Sequence, residues 1–151
     1  MTTESIAPLV PHRGEMLWLQ RVLASGADFV HAEALIGHEH PFAEDAGVPA
    51  WTGIEFMAQA IAAWAGQGAL ARGEAVKPGF LLGTRRYQCS RSHFGYGMRL
   101  RVEAQCELFG DNGLGMFACR LLDGDEVIAS ANVSVYEPPN PQAYLQEKPS
   151  P

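Results

Sequence analysis

Two histidines and one glutamate are the residues of this chain best suited to moving protons. His38 and His40 lie in the segment GHEHPFAEDAGVPAW, residues 37–51, and Glu55 follows in WTGIEFMAQA. Imidazole titrates nearest neutrality, which suits it to general-base work. Glu55 is flanked by Ile54, Phe56, Met57 and Ala58 in what reads as the first turn of a helix. A carboxylate is costly to bury without a partner, so here it must be paired, protonated or turned toward a cavity. One reading makes Glu55 a partner of the helix dipole, worth ~0.3–1 kcal/mol. The other makes it a desolvated general acid. The two histidines are likewise open to a structural reading, as loop residues bonded to backbone. His38-x-His40 supplies two metal ligands and no third has helpful spacing, so no metal site is expected. His12, His31 and His93 stand alone and read as hydrogen-bonded surface or core residues.

Other chemistries find no support. There is no G-x-S-x-G elbow for a serine hydrolase. Gly95-x-Gly97 and Gly113-x-Gly115 lack the third glycine and the strand–helix context of a phosphate loop, so no nucleotide or other cofactor is expected. The net charge is −6 and the pI about 5.3, which argues against a nucleic-acid partner. Yet seven of the 11 basic residues fall within 72–101, opposed there by Glu74 alone. This excess suits either an anionic docking partner or a solvated strand face. Cys89, Cys106 and Cys119 are odd in number and form no CxxC pair, so reduced thiols of a cytoplasmic protein are expected. The start, MTTESIAPLV, has no basic and long apolar regions of a signal peptide.

The elements that must position these groups are legible from periodicity. The chain of 151 residues fits one domain. Residues 1–137 form it, and 138–151, with five prolines, read as an extended tail. Residues 98–108, MRLRVEAQCEL, alternate apolar and polar, a strand with one wet face. Asp111-Asn112-Gly113 turns into a strand over 114–122, and Asp123-Gly124 into another over 126–136. An earlier hairpin pairs 16–23 with 29–36, a further strand covers 79–89, and a helical turn is possible near 5–9. Residues 51–71 approach the length of a membrane span, but Ala, Gly, Gln59, Gln67 and Glu55 make them a buried helix of a soluble protein. A lone helix that is apolar nearly all round must be wrapped. The predicted architecture is therefore α+β, a hotdog: an antiparallel sheet curled around one long central helix.

Several motifs add a resemblance. PLVPHRGEMLWLQRV at 8–22 resembles the N-terminal stretch of 3-hydroxyacyl-acyl carrier protein dehydratases. HPF at 40–42, VPAWTGIEFMAQA at 48–60 and GFLLGTRRY at 79–87 are most similar to the dehydratase-like hotdog proteins of aryl polyene biosynthesis clusters. The resemblance spans about residues 8–137. It implies a dimer, of identical or related hotdog subunits, with sites at the interface and His and Glu from opposite protomers. It implies His40 as the base at C2 of a 3-hydroxyacyl thioester and Glu55 as the group serving the leaving hydroxyl. It implies the N–H groups of Ala50 and Trp51 as donors to the thioester oxygen, and Phe42 beside the substrate. The partner implied is an acyl carrier protein with its phosphopantetheine-linked acyl chain, docked on the Arg-rich segment. Where the family reads His-Phe-Pro this chain reads His40-Pro41-Phe42, the interval to Glu55 is one residue longer, and Ala50 replaces a glycine. These departures keep two other readings open: an acyl-binding subunit that completes a partner dehydratase, and a hotdog acyl thioesterase.

Overall fold

Glu4–Ser5 (β1), Arg21–Ser25 (β2), Phe29–Leu35 (β3), Val48–Pro49 (β4), Phe80–Cys89 (β5), His93–Phe94 (β6), Arg99–Phe109 (β7), Leu114–Asp123 (β8) and Glu126–Tyr136 (β9) are the strands, and Gly53–Ala71 (α1) is the helix. The computed structural model describes residues 4–77 and 79–138. Seven strands form one antiparallel sheet in the order β1-β2-β3-β7-β8-β9-β5, and β4 pairs with β6 separately. The expected tail, from Pro139 onward, lies outside the described residues.

Alternation places the core. Leu100, Val102 and Ala104 of β7 are buried while Arg99, Gln105 and Glu107 face out. Phe117, Cys119 and Leu121 of β8 and Ala129, Ala131 and Val133 of β9 continue that inner face. A register shift at Leu121/Leu122 lets Leu122 and Ile128 be buried as well and leaves Val127 exposed. Gly113 (φ +87°) and Gly124 (φ +61°) close the two hairpins in the left-handed region that favours glycine. α1 lies against this inner face and buries Phe56, Met57, Ala60, Ile61 and Ala63. This is the predicted sheet around a helix. The described residues contain no helix long and apolar enough to cross a membrane.

Close approach fixes the helix. A Cβ at Gly66 would fall 1.8 Å from the carbonyl oxygen of Leu9, in the short 3-10 turn Ala7–Leu9. That turn is the helical turn expected near residues 5–9. The strand predicted over 16–23 is shorter, beginning at Arg21. Gly14–Met16 is a 3-10 turn, and the Trp18 N–H is taken by the side chain of Gln59 (2.9 Å) instead of a neighbouring strand. The three cysteines form no disulfide, and burial pushes the Cys119 thiol up to about 12.

Candidate active site

The start of α1 is held from two sides. Val48 and Pro49 pair with Phe94 and His93, and the Thr52 hydroxyl donates to the Pro49 carbonyl (2.7 Å). On the other side the Tyr87 hydroxyl of β5 donates to the Ala50 carbonyl (2.5 Å). A Cβ at Gly53 would collide with that hydroxyl, so glycine permits the contact. Burial pushes the Tyr87 phenol well above its ordinary value. The helix therefore begins at a fixed place relative to both β4 and β5.

Adjacent helical positions point about 100° apart, so Glu55 and Phe56 serve different sites. Phe56 points to the loop carrying His40. The His40 ring lies 4.2 Å from Trp18 and 5.9 Å from Phe56, centroid to centroid. Its Nδ1 accepts the backbone N–H of Phe42 (3.1 Å). Its Nε2 is buried and has no partner among the described residues. Burial lowers the His40 pKa from its ordinary value, opposed by the Glu39 carboxylate. The ring borders an open cavity of about 410 Å³ that also meets Leu35, Ile36 and Glu39.

Glu55 faces a second, smaller cavity of about 90 Å³, with His12, Ala58, Ala62, Phe80 and Leu81. Its carboxylate is one-third exposed, so it is less enclosed than the apolar neighbours in sequence predict. Gln59, one turn on, donates to Oε2 (2.9 Å). The same amide donates to the Met16 carbonyl (2.7 Å), while its oxygen accepts the Trp18 N–H. Gln59 is completely buried and ties the carboxylate to the segment whose indole packs on His40. A groove of about 600 Å³ beside Trp64 and Leu70 shares Ala65 and Phe109 with the Glu55 cavity. It runs along the small side chains of α1.

The sequence treated His12 as isolated, and the fold does not leave it so. Its Nε2 stands 3.5 Å from Glu55 Oε2, and its Nδ1 is buried without a partner among the described residues. Burial lowers its pKa, partly offset by Glu55. The pairing of a His between β1 and β2 with an acid on the helix needs tertiary contact, so nothing in the local pattern announces it. Gln59 was legible as a polar residue four positions after Glu55.

The remaining predicted residues separate. His40 and Glu55 make no hydrogen bond or ion pair with each other within one chain. Ala50 does not offer a free amide: its N–H donates to the Ser92 carbonyl (2.9 Å). Trp51, 57% exposed, packs its edge on Phe42 (4.9 Å) beside the His40 loop. His38 leaves the site and stacks on Tyr96 (3.7 Å). His93 binds Glu44 (2.7 Å). The Arg-rich segment divides. Arg72, Arg91, Arg99 and Arg101 are ion-paired, whereas Arg85 and Arg86 are exposed on β5 with no ion-pair partner among the described residues. No cluster of three or more potential metal ligands occurs among the described residues.

Known proteins share the fold and the family of this chain. A family described as ApeP-like, ApeP dehydratase, matches residues 4–146. The chain is similar to the structure of the dehydratase heterocomplex ApeI:P from Xenorhabdus doucetiae, at 28% identity and a TM-score of 0.88, covering 95% of this chain and 96% of that one. An uncharacterized protein, PH1136 from Pyrococcus horikoshii, shares the fold at 11% identity and a TM-score of 0.64, over 91% of this chain and 96% of that one. Zebra fish thioesterase superfamily member 2 does so at 13% identity and a TM-score of 0.56, over 80% of this chain and 81% of that one. No curated protein matches.

Proposed function

Because this chain belongs to the ApeP-like dehydratase family, hotdog-fold dehydratases of aryl polyene type, we propose that it is one subunit of an enzyme removing water from a 3-hydroxyacyl thioester held on an acyl carrier protein. The observation carrying this reading is that His40 Nε2 is buried yet unpartnered among the described residues, while Glu55 faces a different cavity. Each group lacks the other within one chain, as expected of a site completed by a second subunit. That subunit is a second copy or a related hotdog protein. The ten-residue strand β5 supports such an assembly, since it is a sheet edge with Leu81 and Leu82 exposed.

Elimination breaks the C2–H and C3–O bonds, forms C2=C3 and releases water. One group must take the C2 proton, a proton must reach the departing hydroxyl, and a donor must steady the negative charge on the thioester oxygen. His40 and Glu55 are the proposed catalytic residues. Phe42 and Trp51 form an apolar lip where the thioester enters. The Trp51 N–H is proposed to assist at that oxygen, and the Ala50 N–H is withdrawn from this role by Ser92. The acyl chain takes the groove along α1 past Ala62 and Ala65. Arg85 and Arg86 supply the exposed positive charge for the acidic carrier.

The test is an assay of the purified full chain, alone and assembled with a related subunit, on a 3-hydroxyacyl thioester of an acyl carrier protein. The proposal expects an enoyl product with the thioester intact. Release of free thiol without the enoyl product identifies a thioesterase instead. Product formed by the partner at an unchanged rate without this chain reduces it to a bystander.

A further inference from the structure

We propose that His12 is a positioning residue for the acid: with Gln59 it reserves Glu55 Oε2 as an acceptor, so that Oε1 alone carries the proton passed to substrate. This rests on the dehydratase reading above, in which Glu55 serves the departing hydroxyl.

Gln59 fixes the first half of the arrangement. Its side-chain oxygen accepts the Trp18 N–H (2.9 Å), and a backbone N–H can only donate. The amide nitrogen of Gln59 is therefore the end that meets the Met16 carbonyl (2.7 Å) and Glu55 Oε2 (2.9 Å). Oε2 is thus an acceptor whichever charge Glu55 carries. In the carboxylate it shares the negative charge, and in the neutral acid it is the carbonyl oxygen.

His12 reaches the same oxygen from the loop between β1 and β2. Its Nε2 stands 3.5 Å from Oε2, within ion-pair reach but longer than a full hydrogen bond. Catalytic hydrogen bonds are often this long before substrate binds and tighten in the complex. Burial lowers the His12 pKa, so at neutral pH the ring is neutral and holds one proton. On Nδ1 that proton would be a buried donor without a partner, while the Nε2 lone pair faced an oxygen that accepts. On Nε2 it points at Oε2. The loop holds the ring there. Arg13 Nη1 donates to the carbonyls of Val10 and His12 (2.6 Å each), and Leu9 abuts Gly66 of α1. The other charged groups nearby are Lys77 and Glu137, which line the Glu55 cavity, and Arg13 beside His12.

Oε1 takes no hydrogen bond among the described residues, and the carboxyl faces the cavity. With Oε2 claimed from two elements, any proton on Glu55 sits on Oε1. In the elimination Oε1–H passes its proton to the C3 oxygen as the C3–O bond breaks, and water leaves. His40 takes the C2 proton, and the C–H electron pair becomes C2=C3. The carboxylate left behind rests its charge against the N–H groups of Gln59 and His12. Solvent reaches the one-third-exposed carboxyl and carries the proton from His40 back to Oε1.

NMR of the assembled full chain, labelled with ¹⁵N and ring-¹³C histidine, tests the contact, with His12 assigned by its loss in His12→Gln. A protonated Nε2 and an unprotonated Nδ1 are expected at neutral pH. In Glu55→Gln the His12 titration midpoint should fall by roughly 0.3 pH unit or more, the scale of one partly exposed ion pair. An unprotonated Nε2, or a midpoint that Glu55→Gln leaves in place, overturns the inference and leaves the dehydratase reading standing. The second arm measures His12→Phe and His12→Gln on the carrier-bound 3-hydroxyacyl substrate. The glutamine amide keeps an N–H donor near Oε2. The kcat of His12→Phe should fall about three- to tenfold at unchanged KM, the factor one net hydrogen bond carries, with at least about half of the native kcat kept in His12→Gln. Native kcat in His12→Phe, or equal losses in the two variants with unchanged melting curves, overturns the positioning role. Where His12→Phe does not fold, the spectra of the native and Glu55→Gln chains decide. Absence of dehydration by the native assembly refutes the dehydratase reading, and the same spectra then decide where the His12 proton sits.

Discussion

Gln59 has more bonds at stake than any other side chain of the site. It joins Glu55, Met16 and Trp18 at once from a fully buried position. Replacing it by Ala leaves the buried Trp18 N–H and the part-buried Met16 carbonyl without their partner. Each such group costs about 1–3 kcal/mol, so Gln59→Ala is expected to lose roughly 2–4 kcal/mol in chemical denaturation. Glu55→Gln behaves differently. Its amide oxygen can still accept from Gln59, so the midpoint of unfolding should scarcely move. Proton transfer is removed, and turnover should drop by a factor of about 100 to 10,000. Loss of folding in Glu55→Gln, or retention of turnover, would each contradict the role given to this carboxylate. Glu55 was legible because its four nearest neighbours are apolar. His12 was not, because the pattern within twelve residues of the chain start says nothing about what α1 will place beside it. Which oxygen of Glu55 stays free likewise depends on that contact.

At the scale of elements, periodicity carried the fold. The strict alternation in β7 and the glycine turns at Gly113 and Gly124 depend on neighbours a few residues apart, and these appear where the sequence put them. The segment before β2 misled because an apolar run, Met16 to Leu19, satisfies a strand pattern equally well when its amide is claimed by a side chain 41 residues away. The same limit hid the contact between Gly66 and Leu9. It makes a clear prediction: Gly66→Ala, harmless by helix propensity, must push α1 away from the Ala7–Leu9 turn. The cost expected from overpacking is about 1–3 kcal/mol, seen as a lowered melting temperature. An unchanged or raised melting temperature would show that the helix does not lie there. Tyr87→Phe removes the hydroxyl linking β5 to the start of α1 and should cost about 0.5–1.5 kcal/mol.

The whole molecule should lose stability as the pH falls. Burial depresses the pKa of His12 and His40 in the folded chain, so the unfolded chain binds protons first. Their contribution is complete above the ordinary histidine value of about 6.5 and is lost as the pH drops below it. A second loss follows at lower pH. Burial alone would raise the Glu103 pKa, but Arg120, His31 and Arg101 outweigh it and hold the carboxyl below its ordinary value. Its contribution is present above about 4.3 and vanishes as the pH falls through the depressed folded value. Denaturant titrations across this range check the order, and the first limb should shrink in His12→Phe. The central claim concerns the assembly: His40 and Glu55 of this chain complete sites with a second subunit. Its most direct test is the dehydration rate of the assembled enzyme carrying His40→Ala together with Glu55→Gln, with assembly verified by light scattering. The account predicts an intact assembly that forms enoyl product at least about 100-fold more slowly. An assembly that eliminates water at the native rate would contradict it.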